Sequence, residues 1–391
     1  MTDRIQTAQV EVPADFIDLG VGQPGQSLLP LDLIRRAATH RLGGDATGYL
    51  QYGAEQGDGY FRAALASFLT ASHGTEVGPD ALFVTAGASQ GLDLVSTLFA
   101  PPGSTICVEE PSYFLALRVL ADHGFRIVGL PTDAQGLLVD GLEQRLAALR
   151  PALLYLIPTF QNPTGATLPP DRRDRVVDLA RRYGTLVVAD EVYHCLGYDG
   201  AAPASFGRHV DGGGVLSLGS FSKILAPGLR LGWIHSDPPT VRRLVGCGLL
   251  DSGGGLNPFA SAVVRSVLEL DLLRPHIDHL RATFRARIAA MAEALRRHLP
   301  DADFERPAGG YFFWVRLPNG LDAERVLPVA EALGVGFRPG IRFSSSGGLR
   351  DRLRLSFAFY DTEALVEGVR RLGQAVARVR QADRGPAAQC M

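Results

Sequence analysis

One lysine stands in this chain. Lys223, inside "SFSKILAPGLRLGW" at residues 220–233, is alone among 39 basic residues, the other 38 being arginine (39 less this one). Arginine stays protonated in proteins, whereas lysine can shed its proton and attack a carbonyl as a neutral amine. The lone ammonium therefore reads as a nucleophile. The competing reading is drift in an arginine-rich chain, and the neighbours must decide between them. Ser220, Ser222 and Arg230 offer two hydroxyls and a guanidinium, enough to hold a phosphate dianion while the amine stays free.

Three further stretches carry matching chemistry. "TAGASQGLDLV", residues 85–95, reads as a strand ending in a small-residue turn that opens a helix. Free N–H groups of Gly87, Ala88 and Ser89 at a positive dipole end make an anion cradle, although a glycine there also serves a plain turn. "TLVVADEVY" ends an apolar strand with Asp190. A carboxylate at such a tip is costly unless paired. A cationic ring nitrogen would pair with it, and so would the start of a following helix that it capped. Tyr193 could hydrogen-bond a phenolate oxygen. "FQNPTG" sets Asn162 before Pro163, alone a simple Asn-Pro turn. A phosphate cradle, an aspartate for a pyridinium, Asn162 and Tyr193 for a phenolate oxygen and a nucleophilic lysine together describe the binding needs of pyridoxal 5'-phosphate.

These groups need a scaffold that brings them to one place. From about residue 80, short runs such as "LFVTAG", "TICVEE", "ALLYLIP", "TLVVADE" and "VLSLGS" alternate with helical patterns. Runs apolar on both faces predict a mainly parallel sheet covered by helices, an α/β fold, with ligands gathering at strand C-termini. "VLSLGS" and "LGWIHS" are joined by a loop too short for a helical crossover and should pair antiparallel. A long charged helix over roughly 274–298 precedes "YFFWVRLP", "GVGFRPGIRF" and "LRLSFAFY", and "TEALVEGVRRLGQAVARVR" closes the chain as an amphipathic helix. This part reads as a smaller α+β domain.

At 391 residues, 46% hydrophobic and net charge −2 with both signs interspersed, the chain reads as globular, with no nucleic acid or membrane partner expected. No apolar run reaches membrane-spanning length and "MTDRIQTAQVEVP" lacks a signal core, so a cytoplasmic location is expected. Cys107, Cys195, Cys247 and Cys390 show no CxxC spacing, which points to reduced thiols, Cys107 in the core, and to no zinc site or disulfide framework.

In this order the motifs resemble the class I/II aminotransferases of fold type I, in the branch of 2-aminoadipate, aromatic and broad-specificity enzymes. The likeness spans nearly all of residues 16–380 and is most specific in "FQNPTG", "ADEVYHCLGYDG" and "SFSKILAPGLRLGW". It implies an aspartate-aminotransferase-like large domain over 46–285, with a mainly parallel mixed sheet covered by helices. It also implies a small α+β domain over 286–391, and an N-terminal segment, 1–45, that joins the small domain and covers the substrate. By that likeness Lys223 forms a Schiff base with the cofactor and moves the proton between Cα and C4′. That task needs an amine neutral near pH 7, roughly three units below its usual value, which burial beside cations would supply. Asp190 keeps the ring nitrogen protonated, and Asn162 and Tyr193 hold O3′. Gly87, Ala88, Ser89, Ser220, Ser222 and Arg230 hold the phosphate. Tyr113, in "EEPSYF", stacks on the ring, and Tyr52, in "YLQYGAEQGDGYFRAAL", reaches the neighbouring active site of a homodimer. Arg354 clamps the substrate α-carboxylate, with Arg352 its rival at the wrong spacing from "LSF", while Gly22, Gln23 and Asn162 lie near substrate.

The chain departs from the pattern at Ala88, where many relatives carry serine, at Asp351, where an asparagine often precedes the arginine by three, and at "SSSGG", 344–348, usually more apolar. No basic residue stands between Gln26 and Leu33, so an apolar, aromatic or amino-functional donor side chain is expected rather than a second carboxylate. The implied reaction is ping-pong exchange of an amino group between an L-amino acid and a 2-oxo acid. The same carbanion can instead eliminate or replace a side-chain group, lose its carboxylate or react with oxygen. A third reading, a cofactor-binding sensor joined to a DNA-binding module, is not expected, because the resemblance begins by about residue 16.

Overall fold

The computed structural model describes residues 8–200 and 203–384; Cys390 lies outside them. Eight strands form one sheet in the spatial order Leu82–Thr85, Gly232–Ser236, Val215–Ser220, Leu186–Asp190, Leu153–Leu156, Thr105–Glu110, Arg126–Asp133 and Gly136–Leu137. The strands from Val215–Ser220 across to Arg126–Asp133 run parallel. Gly232–Ser236 lies antiparallel to both its neighbours, as the short connection from Ser220 requires. The hairpin strand Gly136–Leu137 was not legible, since two residues give no alternation to read.

Leucine, valine and isoleucine on both sides of each strand give the sheet two buried faces. Leu153, Tyr155 and Val188 join the larger core, and Leu154, Leu156, Val187 and Ala189 join a second core on the other face. Helices such as Ala88–Phe99, Phe114–Asp122 and Pro170–Arg182 cover those faces. Cys107 is fully buried, as expected.

A second, antiparallel sheet has the order Asp303–Phe304, Phe312–Arg316, Arg352–Ser356, Arg338–Pro339. The helices Leu273–His298 and Thr362–Arg384 pack beside it against each other. The protein is thus α/β with a large, mostly parallel mixed sheet and a smaller α+β unit. Near the start of the chain, Ile17–Asp18 pairs with Val335–Gly336. Leu19 then accepts a bond from the Ser356 amide (2.6 Å), and Gly25 donates to the Ala358 carbonyl (3.1 Å). These bonds carry residues 19–25 along the small sheet and over the strand ends of the large one. Among the described residues no helix is long and apolar enough to cross a membrane, and no His/Cys/Asp/Glu group could hold a metal ion.

Candidate active site

The parallel strands put the ends of Leu82–Thr85, Thr105–Glu110, Leu153–Leu156, Leu186–Asp190 and Val215–Ser220 on one edge of the sheet, and the motifs of Gly87, Tyr113, Asn162, Asp190 and Lys223 each lie at or after one of those ends.

The anion cradle is formed by two of these ends. Gly87 precedes the helix Ala88–Phe99 with φ 95° and ψ 164°, a conformation close to glycine-only. A Cβ there would meet Arg230 Nη2 at 2.6 Å. Arg230, itself left-handed at φ 46°, donates from Nη2 to the Ala86 carbonyl (3.1 Å) and brings Nη1 to 3.5 Å from Ser222 Oγ. Ser220 and Ser222 hydroxyls lie 2.9 Å apart. Ser89 is exposed on the first helical turn and Ala88 contributes only its backbone. Below the turn, Thr85 Oγ1 is buried with no partner among the described residues. Gly87→Ala should therefore cost about 1–3 kcal/mol in a denaturant melt through its backbone alone. By displacing the Arg230 guanidinium it should also weaken anion binding. An alanine variant with parental stability and affinity would contradict this geometry.

Lys223 donates from Nζ to the Gly22 carbonyl at 2.9 Å, and its backbone carbonyl accepts from the Tyr311 hydroxyl, also at 2.9 Å. Burial, then repulsion from Arg354 and Arg230, pushes the ammonium down to about 8, with Asp190 pulling the other way. Asp190 is buried; its Oδ2 accepts from the Tyr155 hydroxyl (2.8 Å) and its Oδ1 from the Val192 amide (3.3 Å). Burial raises this carboxyl to about 6. Turns follow Asp190, not a helix, so it caps none. Tyr193 is buried among Tyr311 and Phe312, ring centroids 5.4 and 6.0 Å away. Tyr113, half-buried just before the helix Phe114–Asp122, has its phenol pushed up to about 12 by burial and lies within the fields of Arg354, Asp190 and Arg230.

Arg354 is 2% exposed and donates to Asn162 Oδ1 (3.0 Å) and the Gly20 carbonyl (2.8 Å), with no partner for Nε among the described residues. Its guanidinium carbon lies 4.0 Å from the Phe312 ring centroid and 5.0 Å from that of Phe343. Arg352 is half-buried, and Asp351 faces Arg316 (2.8 Å) and Arg352 (3.9 Å) instead of the site. At Gly22 a Cβ would meet the Phe312 ring at 3.1 Å, and Gln23 follows it half-buried. Tyr52 alone is not drawn in by its own chain: it is 84% exposed, beside Gly254.

Three contributors escaped the sequence reading. Tyr155 and Tyr311 hold Asp190 and the Lys223 backbone. Glu110 accepts from the hydroxyls of Ser344 and Ser345 and from the Ser345 amide (2.8 Å), so two hydroxyls of "SSSGG" fasten this loop to the large sheet. A polar atom within "LLYL" was the one available signal for Tyr155.

Residues 14–372 match the family described as aminotransferase class I and II. The chain belongs to that family. Among curated relatives, the aminotransferase is 34% identical to the aromatic-amino-acid aminotransferase 1 of Thermococcus litoralis, over 93% of this chain and 88% of the relative. It is 36% identical to the 2-aminoadipate transaminase of Thermus thermophilus, over 91% and 88%. Its fold overlays a multiple substrate aminotransferase of Thermococcus profundus with a TM-score of 0.88 and 33% identity, covering 95% of this chain and 93% of the other. The aminotransferase thus gathers a depressed lysine, a buried carboxylate, an anion cradle and a buried guanidinium at one sheet edge, a set able to bind an anionic aldehyde and a carboxylate together.

Proposed function

We propose that the chain exchanges an amino group between an L-amino acid and a 2-oxo acid in two half-reactions, with pyridoxal 5'-phosphate as cofactor and Lys223 as the amine that bonds to it. The observation that carries this reading is Lys223 itself, the one lysine of the sequence, held with Nζ 2.9 Å from the Gly22 carbonyl at the same sheet edge as the anion cradle and the buried Asp190. The residues fit the cofactor. Gly87 leaves no room for a side chain against Arg230, Thr85 Oγ1 lacks a partner among the described residues beneath that turn, and Asp190 offers a buried carboxylate to a cationic ring nitrogen.

When bound, the cofactor supplies an aldehyde for amines and an electron sink for negative charge at the substrate Cα. The chain supplies the rest. Gly87, Ala88, Ser89, Ser220, Ser222 and Arg230 grip the phosphate, and Asp190 stays ionised against the ring nitrogen. Asn162 and Tyr193 hold the phenolate oxygen, and Tyr113 covers the ring. Lys223 Nζ, as a neutral amine, would take the proton from the substrate Cα. Arg354 holds the α-carboxylate, with Gly22, Gln23 and Asn162 beside the substrate, and the rings of Phe312 and Phe343 keep water from that ion pair. The absence of a basic residue from Gln26 to Leu33 favours a donor with an apolar, aromatic or amino-functional side chain over one with a second carboxylate. The names of the relatives, aromatic-amino-acid and 2-aminoadipate, agree in part. Exposed Leu50, Tyr52, Tyr60, Leu249 and Phe259 support a homodimer in which Tyr52 reaches the second site.

The test is to give the loaded protein single L-amino acids with no acceptor. One equivalent of 2-oxo acid per chain, without ammonia or oxygen uptake, is expected. Capture of the cofactor by the apoprotein should quicken as pH rises through about 8, where Lys223 loses its proton, and fail below about 6, where Asp190 gains one. Ammonia beyond one equivalent, or oxygen uptake, would move the protein to elimination or oxidation.

A further inference from the structure

Tyr155 lies in the central strand Leu153–Leu156, paired with Val188 of the strand that Asp190 ends. Val188 and Asp190, two residues apart, share a sheet face. The phenol reaches along that face and places its hydroxyl 2.8 Å from Asp190 Oδ2, while the Val192 amide holds Oδ1 at 3.3 Å. Tyr155 is 1% exposed and its strand neighbours Leu153, Leu154 and Leu156 are aliphatic. A hydroxyl buried in such a strand costs free energy unless bonded, and the carboxylate is the partner it has.

We propose that Tyr155 is a positioning residue: its hydroxyl fixes the rotamer of Asp190 and keeps the carboxylate ionised and aimed at the cofactor's ring nitrogen. This rests on the function proposed above. The other ionisable groups facing Asp190 do not do this work. Lys223 favours the charged carboxylate, but only while it is itself protonated. Glu191, the next residue, opposes it, and against the cost of burial its own carboxylate is kept ionised by His194, His73 and Arg173, while the Ser205 and Ser217 hydroxyls and the Phe206 amide donate to it. Tyr113 and Tyr193 are phenols that burial holds neutral, so neither brings a charge against Asp190. Burial pushes Asp190 up, and the Tyr155 bond is the largest influence opposing it.

Tyr155→Phe removes one oxygen and keeps the ring in the core. In the cofactor-loaded protein, followed by visible absorbance and by equilibrium dialysis, the acid limb of cofactor retention should move up by about 1–2 pH units, since a hydrogen bond to a charged group is lost. Affinity near neutral pH should fall about 10-fold, while KM for the 2-oxo acid holds and kcat drops. The same change on an Asp190→Asn background should add nothing, because no charge remains to be held. A parent protein that takes up no pyridoxal phosphate overturns the function and this inference together. A parent that binds it, with a phenylalanine variant whose titration is unmoved or whose effect persists in the asparagine background, overturns the inference alone.

Discussion

Lys223→Arg should give a folded protein without turnover. The Gly22 carbonyl accepts an N–H from a guanidinium as readily as from an ammonium, and the Tyr311 hydroxyl bonds to a backbone carbonyl that the substitution leaves in place. Packing and charge survive, and only the acid–base behaviour changes. Arginine cannot present a neutral nitrogen near neutral pH, so the covalent bond and the Cα proton transfer both fail. The proton transfer alone is worth up to roughly 10⁴-fold. Single-turnover oxo acid release beside a thermal melt measures both halves of this expectation. A variant within 100-fold of the parent would remove Lys223 from the chemistry.

Arg354→Met should produce the second-largest loss, and a different kind. The guanidinium is buried, stacked on Phe312, and already bonded to Asn162 and Gly20, so its fork is held ready for a carboxylate. Methionine fills similar space but leaves that carboxylate unpaired, a penalty of about 2–5 kcal/mol. That corresponds to roughly 30-fold to several-thousand-fold in kcat/KM for α-carboxylate donors. Cofactor retention should weaken only modestly, through an Asn162 that loses one donor and a Lys223 amine relieved of the guanidinium's repulsion, since no phosphate contact is touched. Loss of the cofactor itself would place Arg354 in the scaffold and not in substrate binding.

Local chemistry was legible where a strand ends and a special residue follows. Gly87, Asp190, Ser220 and Lys223 all carry that punctuation, and the antiparallel return of Gly232–Ser236 followed from the length of its connection alone. Alternation could not separate Arg352 from Arg354, because residues two apart share a face; depth in the small sheet separates them, and only packing sets depth. Tyr155 and Glu110 were missed for a related reason. Their partners stand 35 residues away at Asp190 and 234 and 235 away at Ser344 and Ser345. Nothing in the local pattern shows that a leucine-flanked tyrosine or a strand-end glutamate has such a distant partner.

The solitary lysine has a practical consequence. A lysine-specific endoprotease has one peptide bond to cleave in the denatured chain, Lys223–Ile224. Any group fixed to that ε-nitrogen, by chemical trapping or by an amine-directed label, erases the cut. The intensity of uncut chain on a denaturing gel then counts modified active sites directly, with no spectrum and no substrate, and with no other lysine to confuse the tally.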